Sequence, residues 1–385
     1  MATVYISIGM MKTGTTALQS FLRENERALG MQGYCYPYMD LGIHKKYNDR
    51  NAHFLVYRST ESDPEKKKEE EKTVRQHAYA ILEEQAKQYP NIILSDELIW
   101  HRSIKNENFW KRLGPNFEKI GCKVKVVVYV RRQDLLIQSL YNQSVKSLPR
   151  TELSFEECMN NSFWDYYPLD YAAQLDRIAE GIGKENLILR VYEKGQFAGE
   201  EHSIFSDFAE AVGLDLTGDF TRDTVQNNIG LNGNYLEIKR ILNGLPEYAA
   251  SEVDIMRSAV YLANQSQVAG YQNAKTSMFS YEDQIAYVKK FADSNARVAR
   301  EYLGREDGIL FYEPVKELPR WQTDQDTMYQ NLILVMGEMF LEQDEKIRKL
   351  QEECAVLKAQ NKTVLNSAIF RGYNKIKKLV KGEEK

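Results

Sequence analysis

The chain has 385 residues, a length that allows one large domain or two ordinary ones. Hydrophobic residues make up 43% and charged residues 28% of it. This composition is close to that of soluble globular proteins, which excludes a mostly disordered chain and a membrane-spanning bundle. The 51 lysines and arginines are outnumbered by 55 aspartates and glutamates, giving a net charge of −4. No overall basic field is available to hold nucleic acid, although the balance allows a local basic pocket.

The first elements of the chain read as strand, loop and helix. Residues 3–8 form a β-branched run that ends at Gly9, and apolar residues at helical spacing begin at Ala17. Residues 34–60 show no clear period and are predicted to be irregular surface. Asp63 or its neighbour Ser62 can cap a following helix.

Further along, short apolar runs alternate with helical patterns. Strands are predicted over 91–95, 124–130 and 187–192, and helices over 62–88, around 135–143, about 168–181, near 203–212 and from about 233 to 305. Near-continuous apolar strands that alternate with helices are typical of a parallel sheet covered on both faces. The predicted fold class is therefore α/β, with a central parallel sheet flanked by helices in three layers.

The end of the chain has a different pattern. From Ile333 to Val364, two sets of residues recur seven apart, which predicts a coiled coil over four heptads with polar breaks at Gln343 and Asn361. A single helix packed on the body of the protein is the alternative. Residues 365–385 carry six basic and two acidic residues and an apolar helix face. That pattern suits a helix at a membrane surface or a solvated tail.

The cysteines and the N-terminus indicate where the protein resides. Cys35, Cys122, Cys158 and Cys354 are far apart and form no C-x-x-C pair. Their spacing favours free thiols in a reducing compartment over a disulfide framework or a zinc site. The N-terminus lacks the features of a secretion signal, and no apolar run reaches the ~18–20 residues that span a bilayer. The sequence therefore predicts a cytoplasmic protein.

The loop after the first strand, Gly9-Met-Met-Lys-Thr-Gly-Thr-Thr16, has the composition of an anion site. A glycine loop between a strand and a helix presents backbone N–H groups to an anion, and Lys12 adds a positive charge. The order of residues differs from the Walker A loop G-x-x-x-x-G-K-[ST]. Asp96, followed by Glu97, is not a convincing magnesium-binding aspartate, so an ATPase or GTPase is disfavoured. A glycine turn with a surface lysine is the alternative.

A second cationic cluster follows the strand predicted over 124–130. Arg131 stands where that strand ends, and Ser139 lies two turns into the next helix. Ligands of parallel sheets collect at the carboxyl ends of the strands, so Lys12 and Arg131 can converge on one crevice. Two cationic groups on neighbouring strand ends suit a ligand that is phosphorylated in two places. The alternatives are surface charges at Arg131 and Arg132, or ion pairs with Asp134.

Together these residues resemble the sulfotransferases that use 3′-phosphoadenosine 5′-phosphosulfate (PAPS). The run Lys12-Thr13-Gly14-Thr15-Thr16 is similar to the family's 5′-phosphosulfate loop, Pro-Lys-Ser/Thr-Gly-Thr-Thr, with Met11 in place of the proline. Arg131 and Ser139, eight apart, are similar to its 3′-phosphate motif, and Tyr192 matches a strand-end tyrosine that contacts adenine. The family's Arg-Asn-Pro is here Arg-Arg-Gln, which is closer to bacterial members acting on glycans than to the vertebrate cytosolic type.

The resemblance extends from residue 1 to about 312 and implies a P-loop-like fold. It implies a sulfotransferase domain over 1–320, with a nucleotide-binding core over 1–215 and a helical acceptor-side region over 216–320. The heptads and the basic helix face described above place a coiled-coil and basic amphipathic tail over 325–385. The implied donor is PAPS, the product adenosine 3′,5′-bisphosphate, and the acceptor a hydroxyl or amine of a glycan or glycan-like molecule. No metal is implied.

The resemblance and the chemistry of group transfer also suggest catalytic roles. Lys12 can stabilise the oxygen that leaves with the nucleotide, and the acceptor hydroxyl needs a base. Glu97, at a strand end where relatives carry a catalytic His or Glu, is one candidate for that base. His53, in the irregular segment, is the other. Asp96 should matter less than Glu97 if its side chain points away along the alternating strand end.

Two other functions stay open from the sequence. One is a nucleoside or small-molecule kinase on a related fold, which would need ATP and Mg²⁺. The other is a coiled-coil scaffold with a vestigial nucleotide pocket. The tail allows a homo-oligomer through the coiled coil and a peripheral position at a membrane through its basic helix, and no nucleic-acid partner is expected.

Overall fold

A computed structural model of the chain describes residues 1–42, 50–106, 108–147, 150–222, 231, 233–245, 276–323, 325–366 and 368–381. Two compact units divide these residues, one within 1–322 and the other within 323–385. The four cysteine thiols are free, and three of them are buried.

The first unit is built on a five-stranded sheet within the described residues. Its strands are β1 (Ala2–Ser7), β2 (Tyr34–Cys35), β3 (Asn91–Ser95), β4 (Cys122–Val130) and β5 (Leu187–Val191). They lie in the order β2-β3-β1-β4-β5, and every neighbouring pair is parallel. At the end of the central strand β1, Ser7 is paired with Ser95 on one side and with Val127 on the other. The predicted α/β fold is confirmed, and it brings three strand ends to one edge of the sheet.

Helices cover both faces of this sheet. Those that the structure describes in this unit are α1 (Thr15–Glu24), α2 (Glu26–Met31), α3 (Pro64–Gln88), α4 (Leu98–Arg102), α5 (Phe109–Glu118), α6 (Gln133–Lys146), α7 (Phe155–Asn160), α8 (Tyr171–Ile182), α9 (Ile204–Val212), α10 (Asn234–Asn243), α11 (Tyr281–Lys289) and α12 (Ala292–Leu303). On one face, Val127 and Tyr129 of β4 pack with Phe21 of α1 and Phe208 of α9. The side chains of a strand alternate, so the residues between them face the layer that contains α5 and α8.

The structure differs from the sequence prediction at residues 34–60. Tyr34 and Cys35 form a short edge strand whose partners are Asn91 and Ile92 of β3. Two residues are too few to show the alternation that marks a strand, so the sequence carried no periodic signal for β2. The start of α3 agrees with expectation, because the carboxylate of Asp63 accepts hydrogen bonds from two backbone N–H groups of its first turn.

Part of the helical region predicted over 233–305 lies outside the described residues, namely 246–275. Within the described part, α10, α11 and α12 are helical as expected. The chain then runs without further helix to the end of the unit, where the backbone N–H of Trp321 donates to the carbonyl of Ser277. Residues up to Trp321 therefore belong to the packed body of this unit.

The second unit consists of two helices, α13 (Gln325–Asn366) and α14 (Ala368–Lys381). The long C-terminal helix is thus confirmed, and the predicted heptads fall within α13. Several of its heptad side chains are solvent-exposed, for example Phe340 at 68% and Leu350 at 59%. The pairing of this helix with a second copy stays a prediction. None of the described helices is both long enough and apolar enough to cross a membrane.

Candidate functional site

The loop after β1 is held at the end of the sheet by its own backbone. Met10 donates to the carbonyl of Tyr129, and Tyr129 donates to the carbonyl of Gly9. Gly9 has φ +94°, and a Cβ at this position would lie 2.9 Å from the Cβ of Glu97. Glycine is therefore needed both for the backbone conformation and for the close approach to the end of β3.

Gly14 is the residue that joins this loop to α1. It precedes α1 with φ +74°, and it has no side chain that could cap the helix. The first N–H groups of a helix have no partner within the helix, so those of Thr15 and Thr16 are suited to hold an anion. Thr15 is buried and Thr16 is exposed. The hydroxyl of Thr13 is already used, because it donates to the carbonyl of Met10 at 2.6 Å.

Lys12 occupies an unusual backbone conformation within this loop. Its φ of +66° lies in the left-handed region, which costs a residue with a side chain ~1–2 kcal/mol. Its Nζ lies 3.4 Å from Oε1 of Gln143 on α6. Burial lowers the pKa of Lys12, the positive charges of Lys146 and Arg131 lower it further, and Glu97 opposes them. The ammonium group therefore lies among other cations, in a place that favours an anionic ligand.

Arg131 lies against the same loop. Its guanidinium donates to the carbonyl of Lys12 at 2.7 Å and lies 5.6 Å from the centre of the Tyr192 ring. A Cβ on Gly14 would lie 3.3 Å from that ring, so Tyr192 packs directly on the loop. Burial lowers the pKa of Arg131, but the ordinary pKa of a guanidinium is so high that the group stays charged. The structure thus brings together the loop, Arg131 and Tyr192.

Ser139 is half-buried on α6. It precedes Gln143 by four residues, so the two side chains share one face of the helix. Gln143 contacts Lys12, so this face is turned toward the loop. Lys146, at the end of α6, follows on the same side and adds a further positive charge near Lys12. Sequence reasoning missed Gln143 and Lys146, although their helical spacing from Ser139 could have indicated them.

Glu97 is the residue that begins the turn from β3 into α4. Its side chain is 19% exposed, with one oxygen 3.3 Å from Nε2 of Gln19 and the other 3.7 Å from the Arg50 guanidinium. Burial raises the pKa of Glu97, the charge of Arg50 opposes that shift, and the neighbouring Asp96 adds to it. A carboxylate with a raised pKa is a better proton acceptor than an ordinary glutamate.

Asp96 does not fit the minor role that the sequence suggested for it. Its side chain is completely buried and pairs with Arg50, and Nδ1 of His53 lies 2.6 Å from its other oxygen. Burial alone would raise the pKa of Asp96, but the hydrogen bond from His53 and the charge of Arg50 hold it below its ordinary value. Because Arg50 also contacts Glu97, Asp96 helps to fix the position of the candidate base, and it is not a neutral neighbour.

His53 is 3% exposed and is held by Asp96. The segment around it is docked on the sheet by Asn51, whose side chain accepts from the backbone N–H of Ser95 and donates to the carbonyl of Ile93. A buried imidazole held in this way suits a positioning role better than a direct contact with an acceptor. The same docking places Arg50 beside Asp96 and Glu97. Arg50 was not predicted from the sequence, because no local motif marks it.

The described residues contain no group of three or more His, Cys, Asp or Glu side chains placed to hold a metal ion.

Comparisons with known proteins give distant matches. No family model matches the chain. An uncharacterised protein of Archaeoglobus fulgidus is 28% identical over 204 residues, which cover 51% of this chain and 52% of that protein. The chain thus spans about half the length of this curated relative. The crystal structure of a sulfotransferase from Alicyclobacillus acidocaldarius is 15% identical and matches 68% of this chain and 94% of that one, with a TM-score of 0.38. The fold is therefore assigned from the strand order and the parallel pairing of the sheet.

Proposed function

We propose that this protein transfers a sulfuryl group from PAPS to a hydroxyl or amine of a glycan or glycan-like acceptor. The observation that carries the proposal is the contact between two cationic strand ends, where Arg131 donates to the carbonyl of Lys12 at 2.7 Å. A nucleotide that carries phosphates on both the 3′ and the 5′ oxygen of its ribose needs two neighbouring cationic positions. A nucleotide with phosphates on the 5′ oxygen alone needs one cationic position.

Each part of the site then has a role toward this donor. The loop from Lys12 to Thr16 holds the 5′ end through backbone N–H groups, and Arg131 with Ser139 holds the 3′-phosphate. The ring of Tyr192, already packed on Gly14, offers a surface for the base. Lys146 adds a charge that draws the doubly phosphorylated ligand into the crevice.

The transfer itself needs charge stabilisation and a proton acceptor. By analogy with phosphoryl transfer, most of the catalysis comes from positioning and electrostatics. Lys12 stabilises the negative charge that develops on the leaving oxygen of the nucleotide. Glu97, with its raised pKa, accepts the proton of the acceptor hydroxyl as the new bond to sulfur forms. The product is adenosine 3′,5′-bisphosphate.

A kinase on a related fold is the rival enzyme. Such an enzyme would need a strand-end carboxylate for Mg²⁺, and Asp96 is the residue in that position. In this structure both oxygens of Asp96 are engaged by Arg50 and His53. This arrangement favours a donor that is held by cationic side chains. A scaffold with a vestigial pocket would need neither the half-buried Arg131 nor the strained Lys12.

A thermal-shift panel tests the donor. Ligands that bind the folded state raise the melting temperature, by an amount that grows with concentration over Kd. We expect adenosine 3′,5′-bisphosphate to stabilise the protein, and AMP or ATP with Mg²⁺ to do so far less. A shift with ATP and Mg²⁺ alone would move the assignment to the kinase, and no shift with any nucleotide would favour the scaffold.

A substitution of Glu97 tests the base. Glu97→Gln keeps the size of the side chain and removes the proton acceptor, so turnover should fall by ~10²–10⁴-fold. The affinity for adenosine bisphosphate should change little. Glu83→Gln, an exposed glutamate on α3, is the matched control. Near-normal turnover of Glu97→Gln beside an inactive His53→Ala protein that still binds nucleotide would transfer the role to His53.

We further propose that the second unit controls assembly or location. The exposed apolar heptads of α13 suit pairing with a second copy, and the basic helix α14 suits a peripheral position at an anionic membrane for a cytoplasmic protein. A chain ending at Gln322 keeps the contact of Trp321 with Ser277 and should keep nucleotide binding. It should lose self-association in sedimentation or binding to anionic vesicles. Equal masses for both chains, with no vesicle binding by either, would refute this proposal.

A further inference from the structure

The exposed stripe on α13 has the pattern of a helix that pairs with another helix. Its residues recur at alternating steps of three and four, which identifies the a and d positions of the heptads. The a positions are Phe340, Ile347, Cys354 and Asn361, and each d position follows an a position by three residues. All of these side chains are exposed in the single chain. A largely apolar stripe of this length on an exposed face predicts a partner that covers it.

The residue types at these positions favour a pair of helices over a larger bundle. Ile347 is β-branched and occupies an a position, and Leu350 and Leu357 occupy d positions beside it. Among parallel coiled coils, β-branched residues at a with leucine at d favour two strands, and an asparagine at a sets the register. Asn361 would face Asn361 of the second copy in a parallel pair, and Gln343 in an antiparallel pair. The polar positions alone therefore do not decide the direction.

The charges that flank the stripe distinguish the two directions. In a parallel pair, a residue at g lies beside the e residue five positions further along the second copy, and Glu353 and Lys358 are such a pair. In the antiparallel pair, g residues meet g residues, so Glu353 would lie beside Glu353 of the second copy. Lys358 would then meet Asp344, which is already paired with Arg348 at 3.2 Å. The parallel direction therefore has complementary charges and avoids this like-charge contact.

We propose that α13 pairs with α13 of a second copy as a parallel, in-register, two-stranded coiled coil over residues 340–364. This inference rests on the proposed role of the second unit in assembly, and it adds the partner, the direction and the register. A parallel pair places both copies of α14, each with five basic and no acidic residues, at the same end of the coil. An antiparallel pair would separate them by roughly 60 Å, the length of the 42 residues of α13. The two basic helices can therefore bind one anionic surface together.

Cys354 makes the direction measurable. In the parallel pair it faces Cys354 of the second copy across the seam. In the antiparallel pair it faces Leu350, and the two Cys354 residues are displaced by four positions, or about 6 Å along the axis, in addition to the distance between the helices. A disulfide cannot join Cα atoms more than ~7 Å apart unless the backbone moves. The other three cysteines are buried, so an oxidant should join copies through Cys354.

Oxidation of the full chain by diamide tests the proposal. Diamide takes up the two hydrogen atoms that two thiols lose as a disulfide forms between them. The reduced protein should sediment as a dimer, and diamide should convert it to a covalent dimer on a non-reducing gel. Cys354→Ser protein should sediment as a dimer and form no covalent one. A reduced protein that sediments as a monomer or a trimer would overturn the proposal, and so would a dimer that diamide does not join.

A matched control separates a paired thiol from thiols that meet by collision. Glu352→Cys in the Cys354→Ser protein moves the thiol to the outer f position of the same heptad, where it stays exposed. Its covalent dimer should form roughly 10-fold more slowly, because the two thiols then lie on opposite sides of the coil. Equal rates for the two proteins would overturn the proposal.

Two further variants, both in the Cys354→Ser protein, test the direction at other layers of the coil. Ile347→Cys and Leu357→Cys place the thiol at an a and at a d position. In the parallel, in-register pair, each variant should form covalent dimers by itself. In the antiparallel pair, residue 347 faces residue 357, so covalent dimers would form only after the two variants are mixed. Dimers found only in the mixture, or in neither case, would overturn the proposal.

Failure of the proposed function would look different. If diamide joins the two copies while adenosine 3′,5′-bisphosphate does not stabilise the protein, the coiled coil stands and the proposed donor falls. If the nucleotide stabilises a protein that sediments as a monomer, the donor stands and the coiled coil falls.

Discussion

Arg131 makes one contact in this structure and has one proposed role toward the ligand, and one substitution can separate the two. One N–H of its guanidinium supports the carbonyl of Lys12, and the remaining donors are assigned to the 3′-phosphate. Arg131→Ala should therefore weaken every ligand of the loop, and weaken adenosine 3′,5′-bisphosphate most. The sequence suggested the phosphate contact alone, so the effect on the loop is a consequence of the structure.

The loss of binding affinity can be estimated separately for the 3′-phosphate contact and for the support of the loop. A hydrogen bond to a charged group contributes ~1.5–3 kcal/mol, which corresponds to roughly 10–150-fold in affinity for the 3′-phosphate contact. Loss of the bond to Lys12 leaves a strained loop without its support, which we place at ~1 kcal/mol or about 5-fold for any nucleotide. The affinity for AMP should therefore fall about 5-fold. The affinity for adenosine 3′,5′-bisphosphate should fall by the product of this factor and the roughly 10–150-fold loss of the 3′-phosphate contact.

Calorimetric titration of both nucleotides gives the two numbers. The ratio of the two losses isolates the 3′-phosphate contact, because the support of the loop is common to both ligands. Arg27→Ala, at an exposed arginine on α2, is the control and should change neither affinity. Equal losses for both nucleotides would refute the 3′-phosphate assignment, and unchanged AMP binding would refute the support of the loop.

Three further predictions concern the carboxylates and their surroundings. Gly9→Ala should lower both the melting temperature and turnover, because its Cβ would meet the Cβ of Glu97 at 2.9 Å; a normal thermal melt would contradict this. Arg50→Gln should move the acidic limb of the pH–rate profile to higher pH, because the positive charge that lowers the pKa of Glu97 is lost, and a limb that stays or falls would oppose it. Asp96→Asn should destabilise the fold by ~3–5 kcal/mol at neutral pH. Folding lowers the pKa of Asp96, so its contribution to the free energy of unfolding is complete above the unfolded pKa of ~3.9 and is lost as the pH falls further. Urea unfolding of both proteins near pH 7 and pH 3 should show that the difference in their stability shrinks in acid.

The residues that we propose for nucleotide binding could be picked out from the sequence because their signals are local. Lys12 and Gly14 stand in one loop, and Arg131 follows a strand whose apolar run is unmistakable. Because the strands are parallel, their carboxyl ends lie at one edge of the sheet, and these residues therefore lie close together. Tyr192 comes from a fourth strand end by the same rule.

The surroundings of the proposed base could not be predicted, because their contacts join residues that are distant in the sequence. Arg50 reaches Asp96 across 46 positions, and Gln19 reaches Glu97 across 78. The segment is docked on β3 by the side chain of Asn51 and by the backbone N–H of Ala52, which donates to the carbonyl of Ser95. Isolated hydrogen bonds of this kind leave no periodic pattern in the sequence, so the segment was predicted to be irregular surface.

The two adjacent carboxylates at the end of β3 show how this arrangement can serve chemistry. Asp96 and Glu97 are neighbours in the chain, yet the pKa of Asp96 is lowered and the pKa of Glu97 is raised. The difference comes from their partners. The carboxylate of Asp96 contacts both His53 and Arg50. The carboxylate of Glu97 lies 3.7 Å from the Arg50 guanidinium, and its other partner is the uncharged amide of Gln19. Pairs of titratable groups whose surroundings push their pKa values apart divide acid–base and structural tasks between them. Asp96 therefore stays ionised and holds Arg50 in place, while Glu97 keeps the raised pKa that suits the proton acceptor we propose.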